Sequence, residues 1–87
     1  FKMKLQQMNP DQPRPLHNIA KDIWNNWDNP RYSAVPYLRA MSELDDINDY
    51  YGLDQASGIV RYFLANASTW RGPEARRIKA ELKALLK

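Results

Sequence analysis

The chain has 87 residues, of which 44% are hydrophobic and 26% are charged, and its formal net charge is +3. A chain of this length forms one small domain that buries roughly 60% of its unfolded surface. The absence of cysteine excludes disulfides and thiolate metal sites, and a single histidine, His17, excludes the usual histidine-rich metal centres. No apolar run approaches the roughly 18 residues of a membrane-spanning helix, so we expect a soluble protein with no membrane partner.

The first 15 residues are rich in proline and show little periodicity. Pro10, Pro13 and Pro15 forbid a continuous helix there. We therefore expect a flexible N-terminal arm over residues 1–15 and a folded domain over residues 16–87.

Apolar residues recur at helical spacing from Leu16 onward and predict a first helix, which ends at Asp28-Asn29-Pro30 because a residue before proline is disfavoured in the helical region. The same spacing places Trp24 and Trp27 on the inner face of this helix, as core residues.

Two further helices are predicted in the middle of the chain. Ser33 can cap the second helix, whose apolar positions recur as far as Gly52, a natural C-cap. Asp54 can cap the third, which is apolar around most of its circumference and is therefore expected to be the central helix, with Phe63 buried.

A fourth helix is predicted to begin at Pro73, with Glu74 near the positive end of its dipole. Its inner stripe comprises Ala75, Ile78, Leu82, Leu85 and Leu86. No segment alternates with period two. The sequence therefore predicts an all-α fold, a compact four-helix domain.

Charge is unevenly distributed along the chain. Residues 31–54 carry two basic and five acidic residues, whereas residues 55–87 carry seven basic and two acidic residues. Such asymmetry favours an anionic partner for the C-terminal third, and the opposite poles could also pair two copies in a homo-oligomer.

The corner Trp70-Arg71-Gly72-Pro73 has two readings. In the structural reading, which we favour, Trp70 folds back over the core and Arg71 neutralises an acid such as Asp49 or Asp54. In the functional reading, Trp70 and Arg71 form an exposed aromatic and cationic pair that suits a binding hot spot or base stacking. The candidate partner-binding residues are Trp70, Arg71, Arg76, Arg77, Lys79 and Lys83.

The acidic middle segment is the place to look for catalytic or metal chemistry. Helical spacing would put Asp45 and Asp49 on one exposed helix face. A helix would hold their oxygens too rigidly for a calcium site, and the sequence lacks the glycine spacing of a calcium-binding loop. No phosphate-cradling glycine loop is present. The sequence therefore predicts a protein that is not an enzyme and has no cofactor, metal or small-molecule substrate. A helix-turn-helix around Gly52 is disfavoured, because the acids from Glu43 to Asp49 would repel DNA.

Four segments of the chain carry a family resemblance: Pro36 to Met41, Tyr51 to Asp54, Tyr62 to Ala67, and Trp70 to Gly72. Together they resemble small uncharacterised helical proteins encoded by bacteriophages and prophages, over about residues 16–86. The resemblance implies no activity. It implies that the protein acts in a bacterial cytoplasm, where small phage proteins often bind a host or phage macromolecule.

These observations lead to one functional expectation and an alternative. We expect a small non-enzymatic protein that binds a host or phage protein through a surface that combines Trp70, Arg71, Arg76 and Arg77. The acidic patch around Asp45 to Asp49 is an alternative face for this contact. The alternative is nucleic-acid binding through the basic C-terminal helix, which would weaken steeply with salt.

Overall fold

The computed structural model describes residues 14–86 of the chain. The predicted arm therefore lies outside the described residues, apart from Arg14 and Pro15. The described part contains four helices and a two-stranded antiparallel sheet. These elements are α1 (Leu16–Asn26), α2 (Val35–Met41), β1 (Tyr50–Tyr51), β2 (Asp54–Gln55), α3 (Ala56–Ala65) and α4 (Pro73–Leu85).

Helix α1 ends close to its predicted position, and its start is held by a distant loop. The N–H groups of Leu16 and His17 donate to the carbonyls of Asp45 and Leu44, at 2.9 and 2.8 Å. Two of the N–H groups that every helix leaves free in its first turn are satisfied in this way. The predicted inner face is buried, but Trp24 is 38% exposed and donates from its indole Nε1 to the Ser42 hydroxyl.

Helix α2 is much shorter than predicted, because it ends at Met41 instead of continuing to Gly52. The Ser42 hydroxyl donates to the Leu38 carbonyl, and the next N–H groups form tight turns onto Ala40 and Met41. Local side-chain hydrogen bonds of this kind compete with helix continuation.

The residues that were predicted to end that helix instead form a hairpin. Tyr50 pairs with Gln55 and Tyr51 with Asp54, around a two-residue turn. Gly52 has φ +65°, the left-handed conformation that tight hairpin turns demand of their first residue. The prediction of an all-α fold is therefore wrong in this segment, although four helices are confirmed.

Helix α3 begins one residue later than predicted, since Gln55 and not Asp54 is its N-cap, and the helix is not buried all round. Ala56, Ile59, Val60 and Phe63 face the core, whereas Arg61 and Tyr62 face solvent. The prediction of a central helix is wrong, because the fourth helix packs mainly against α1 and leaves one side of α3 open.

Helix α4 confirms the predicted first-turn proline, and Ala75, Ile78 and Leu82 face the core as expected. Leu85 and Leu86 are half-buried against it. None of the helices within residues 14–86 combines the length and the apolar content that a bilayer crossing requires.

Candidate functional site

The Trp70 corner belongs to the core. Trp70 is 4% exposed and stacks on Trp27 with ring centroids 5.4 Å apart, while Phe63 meets Trp27 edge-on at 6.2 Å. The Trp70 indole Nε1 donates to the Asn26 carbonyl. We call Trp27, Phe63 and Trp70 the tryptophan cluster. Because the Trp70 ring is buried, the corner does not present the exposed aromatic that the functional reading requires.

Lys79 is also engaged in the structure of this corner. Its ammonium donates to the carbonyls of Ala67 and Trp70, at 2.7 and 2.6 Å, and lies 5.9 Å from the centre of a Trp70 ring. These contacts satisfy two carbonyls within the α3–α4 connection. Burial lowers the pKa of Lys79, and the nearby charges of Lys83 and Arg71 lower it further.

The other predicted partner-binding residues fall into two groups. Arg77 pairs with Glu74 at 2.8 Å and approaches Asp22 at 4.0 Å. Arg71, Arg76 and Lys83 are exposed. Within the described residues, no ion pair joins Arg71 to Asp49 or Asp54, so its expected neutralising contact is not formed. We call Arg71, Arg76, Lys79 and Lys83 the basic face.

Arg14 lies against the folded domain. Its guanidinium forms two hydrogen bonds to the Glu81 carboxylate, at 2.9 and 2.7 Å, and one to Asp22 at 2.6 Å. The bonds to Glu81 raise the pKa of Arg14 most; burial opposes this increase, and the bond to Asp22 adds to it. The paired geometry is the strong form of arginine–carboxylate contact. Arg14 thus ties the segment before α1 to α4.

The acidic segment after α2 is a loop, and its carboxylates hold that loop together. The Asp49 carboxylate accepts the N–H groups of Asp45 and Asp46, at 3.2 and 3.0 Å, and Asp46 accepts from the N–H of Asn48. Asp45 also contacts His17 at 2.9 Å. The prediction that Asp45 and Asp49 share a helix face is therefore wrong, because local hydrogen bonds to backbone displaced the helix.

A cleft of about 600 Å³ opens between α2, the hairpin and α3. Tyr37 of α2 and Tyr62 of α3 stack across it, with ring centroids 5.5 Å apart and an angle of 24° between their planes. Tyr62 is 60% exposed. We call this surface the tyrosine cleft; its lining includes Pro36, Tyr37, Tyr51, Asp54, Gly58 and Tyr62.

The rim of the tyrosine cleft is apolar and acidic. Leu53, at the tip of the hairpin, is 98% exposed, which is the extreme value among the large hydrophobic residues described. Asp54 lines the cleft and is exposed, and neither Arg39 nor Arg61 belongs to the lining. The cleft therefore presents aromatic faces and a carboxylate together.

The sequence interpretation missed this surface because it assigned its residues to two continuous helices. Strands of two residues are too short to show a period-two pattern. The available signal was the dipeptide Tyr50-Tyr51 followed by Gly52, since aromatic residues favour strands and glycine favours a tight hairpin turn.

Comparison with family models, with characterised proteins and with solved structures found no match to this chain. The tyrosine cleft and the basic face are the two surfaces of the described residues whose geometry bears on function.

Proposed function

We propose that the chain is a small non-enzymatic protein that acts by binding another protein through the tyrosine cleft. The observation that carries the proposal is the stacked pair of the exposed Tyr62 and the half-buried Tyr37 in a cleft of about 600 Å³. Tyrosine is enriched in the residues that dominate binding energy at protein interfaces. Its rigid ring offers a large contact area at a low cost in conformational entropy.

The exposed apolar residues around the cleft support the same proposal. Leu53 and Tyr51 lie on the hairpin that forms one wall, and both are exposed. A cluster of exposed apolar side chains with a polar rim is typical of an interaction surface. We take the proposed partner to be a host or phage protein of a bacterial cytoplasm, and this part of the proposal rests only on the sequence resemblance to phage and prophage proteins.

The adjacent tyrosines of β1 provide a matched test of this proposal. Tyr51 lines the cleft, whereas Tyr50, also exposed, does not. The immobilised chain should capture a protein from a bacterial lysate, and Tyr51→Ala should reduce the captured amount several-fold. Tyr50→Ala should leave it unchanged, with equal thermal melting of both variants as the folding control. Capture that is insensitive to Tyr51→Ala and Tyr62→Ala would refute the proposal.

A second candidate function is nucleic-acid binding by the basic face. Arg76, Lys79 and Lys83 recur along one side of α4, and Lys79 is close enough to Lys83 and Arg71 for their charges to lower its pKa. Such a concentration of positive charge suits phosphate contacts.

Fluorescence anisotropy with labelled duplex and single-stranded DNA distinguishes this candidate. Binding should weaken with salt at a log–log slope of about −0.9 per phosphate neutralised on duplex DNA. Arg76→Glu combined with Lys83→Glu should abolish it, whereas Lys21→Glu on α1 should not. Flat traces at low salt would remove nucleic acid as a partner.

A further inference from the structure

The hairpin side of the tyrosine cleft belongs to a segment that lacks positive charge, and Arg39 and Arg61 flank that segment on α2 and α3. Between Arg39 and Arg61 the sequence holds five acidic residues and no lysine or arginine. Three of these acids already have partners within the chain, since Asp49 and Asp46 accept hydrogen bonds from backbone N–H groups and Asp45 contacts His17. Asp54 differs from them because it lines the cleft.

Asp54 offers its carboxylate to an incoming group. In the part of the chain that the structure describes, no lysine or arginine lies within ion-pair distance of it. Its backbone pairs with Tyr51 in the hairpin, so the position of the residue is set by the sheet. A carboxylate held in this way favours a cationic ligand.

The tyrosine rings add a second attraction for a cation. The face of an aromatic ring is electronegative and attracts an ammonium or, more often, a guanidinium group. Tyr62 is exposed and is stacked on Tyr37, so its orientation is supported from one side. A planar guanidinium can stack on a tyrosine and pair with a carboxylate simultaneously, which a lysine ammonium does less well.

We propose that the tyrosine cleft binds an arginine side chain in a basic segment of the partner protein, with the guanidinium against the tyrosine rings and paired with Asp54. This inference rests on the proposed protein-binding function and specifies the chemistry of the partner. Leu53 is exposed on the same hairpin as Asp54. We therefore expect the partner segment to carry an apolar residue next to the arginine, in contact with Leu53.

The probe for this proposal is the acetylated, amidated peptide Gly-Ser-Leu-Arg-Gly-Ser-Leu-Arg-Gly-Ser. Matched peptides carry glutamine or glutamate in place of both arginines. Each is titrated into the full, ¹⁵N-labelled chain, and amide chemical shifts are followed by NMR. The arginine peptide should shift the amides of Tyr51, Asp54, Gly58 and Tyr62, and the glutamine peptide should bind at least about fivefold more weakly.

Charge-neutral variants identify the carboxylate that matters. Asp54→Asn should weaken binding of the arginine peptide about two- to fivefold, which lies within the range of a solvent-accessible ion pair. Asp28→Asn removes an exposed acid outside the cleft and should leave binding unchanged. Tyr62→Ala should weaken binding by a similar factor, and Tyr32→Ala, at an exposed tyrosine outside the lining, should not.

Four results would overturn the inference. These are equal binding of the arginine and glutamine peptides, shifts confined to residues outside the cleft, no shifts at millimolar peptide, and concentration-dependent shifts of both the cleft and the basic face without peptide. The last would show that a second copy occupies the cleft. If capture from lysate still depends on Tyr51 in any of the first three cases, only the arginine assignment fails; if that dependence is also absent, the proposed function fails with it.

Discussion

The two sides of this small domain use similar residues in opposite ways. On the side formed by α1 and α4, aromatic rings are buried in the tryptophan cluster and charges are paired, as between Arg14 and Glu81. On the side formed by α2, the hairpin and α3, the rings of Tyr51 and Tyr62 are exposed. The tryptophan cluster and the Arg14 ion pairs are satisfied within the chain, whereas the tyrosine cleft leaves aromatic rings and a carboxylate exposed.

Helix α3 contributes to both sides through adjacent residues. Phe63 is fully buried in the tryptophan cluster, and Tyr62 is exposed in the tyrosine cleft. A residue step of about 100° is enough to turn one aromatic into the core and the other toward solvent. The comparison therefore predicts different roles, stability for Phe63 and recognition for Tyr62.

Truncating these two rings should give the largest difference. Phe63→Ala should lower the free energy of unfolding by about 3–5 kcal/mol, because it removes a fully buried aromatic and leaves a cavity. Tyr62→Ala should cost about 1 kcal/mol, close to the value of one exposed aromatic pair. Urea denaturation of both variants measures the difference. Equal losses would show that the two sides are not distinct in stability.

Breaking the ion pairs of Arg14 should have the next largest effect. Arg14→Ala should cost about 1–2 kcal/mol, since it removes three charge-assisted hydrogen bonds and leaves the half-buried Asp22 and Glu81 close together. Deleting residues 1–14 should lower the melting temperature further than deleting residues 1–13, while preserving helical content. If the two deletions melt alike, Arg14 does not stabilise the fold.

The Asp49 carboxylate should stabilise the acidic loop after α2 through its hydrogen bonds to the backbone. Asp49→Ala should cost about 1 kcal/mol, because the Asp45 and Asp46 N–H groups lose their acceptor. Glu43→Ala, at an exposed acid in the preceding turn, should leave thermal stability unchanged. If Asp49→Ala leaves the free energy of unfolding unchanged, water replaces the carboxylate as the acceptor without loss of stability.

How far the sequence predicted these features depends on the length of each pattern. The spacing over Leu16–Asn26 and over Pro73–Leu85 spans about three turns, and both helices were predicted close to their observed bounds. In the segment between Met41 and Ala56, Leu44, Ile47 and Tyr51 keep helical spacing by coincidence. There, the hydrogen bonds that Ser42 donates and Asp49 accepts determine the backbone conformation, and such local bonds leave no periodic pattern in the sequence.

The candidate site was missed for the same physical reason. The tyrosine cleft exists because the chain leaves α2 early and turns back as a hairpin, which carries Tyr51 and Asp54 to α3. A continuous second helix would have placed these residues elsewhere. The prominent sequence signal, Trp70 beside Arg71, instead marked a corner in which the tryptophan completes the core.

The smallest predicted effect concerns the titration of Lys79 on α4. Its pKa lies below the ordinary value of 10.5, because burial and then the charges of Lys83 and Arg71 disfavour the protonated form. Between that lowered pKa and the ordinary one, the unfolded chain binds more protons, so this lysine makes stability rise with pH in that window. Lys83→Gln removes one repelling charge and should raise the pKa of Lys79, as followed by the ¹³Cε shift of the lysine. Lys21→Gln, on α1, should leave the pKa unchanged. If Lys83→Gln has no effect, the charge of Lys83 does not contribute to the lowered pKa of Lys79, and burial is the main cause.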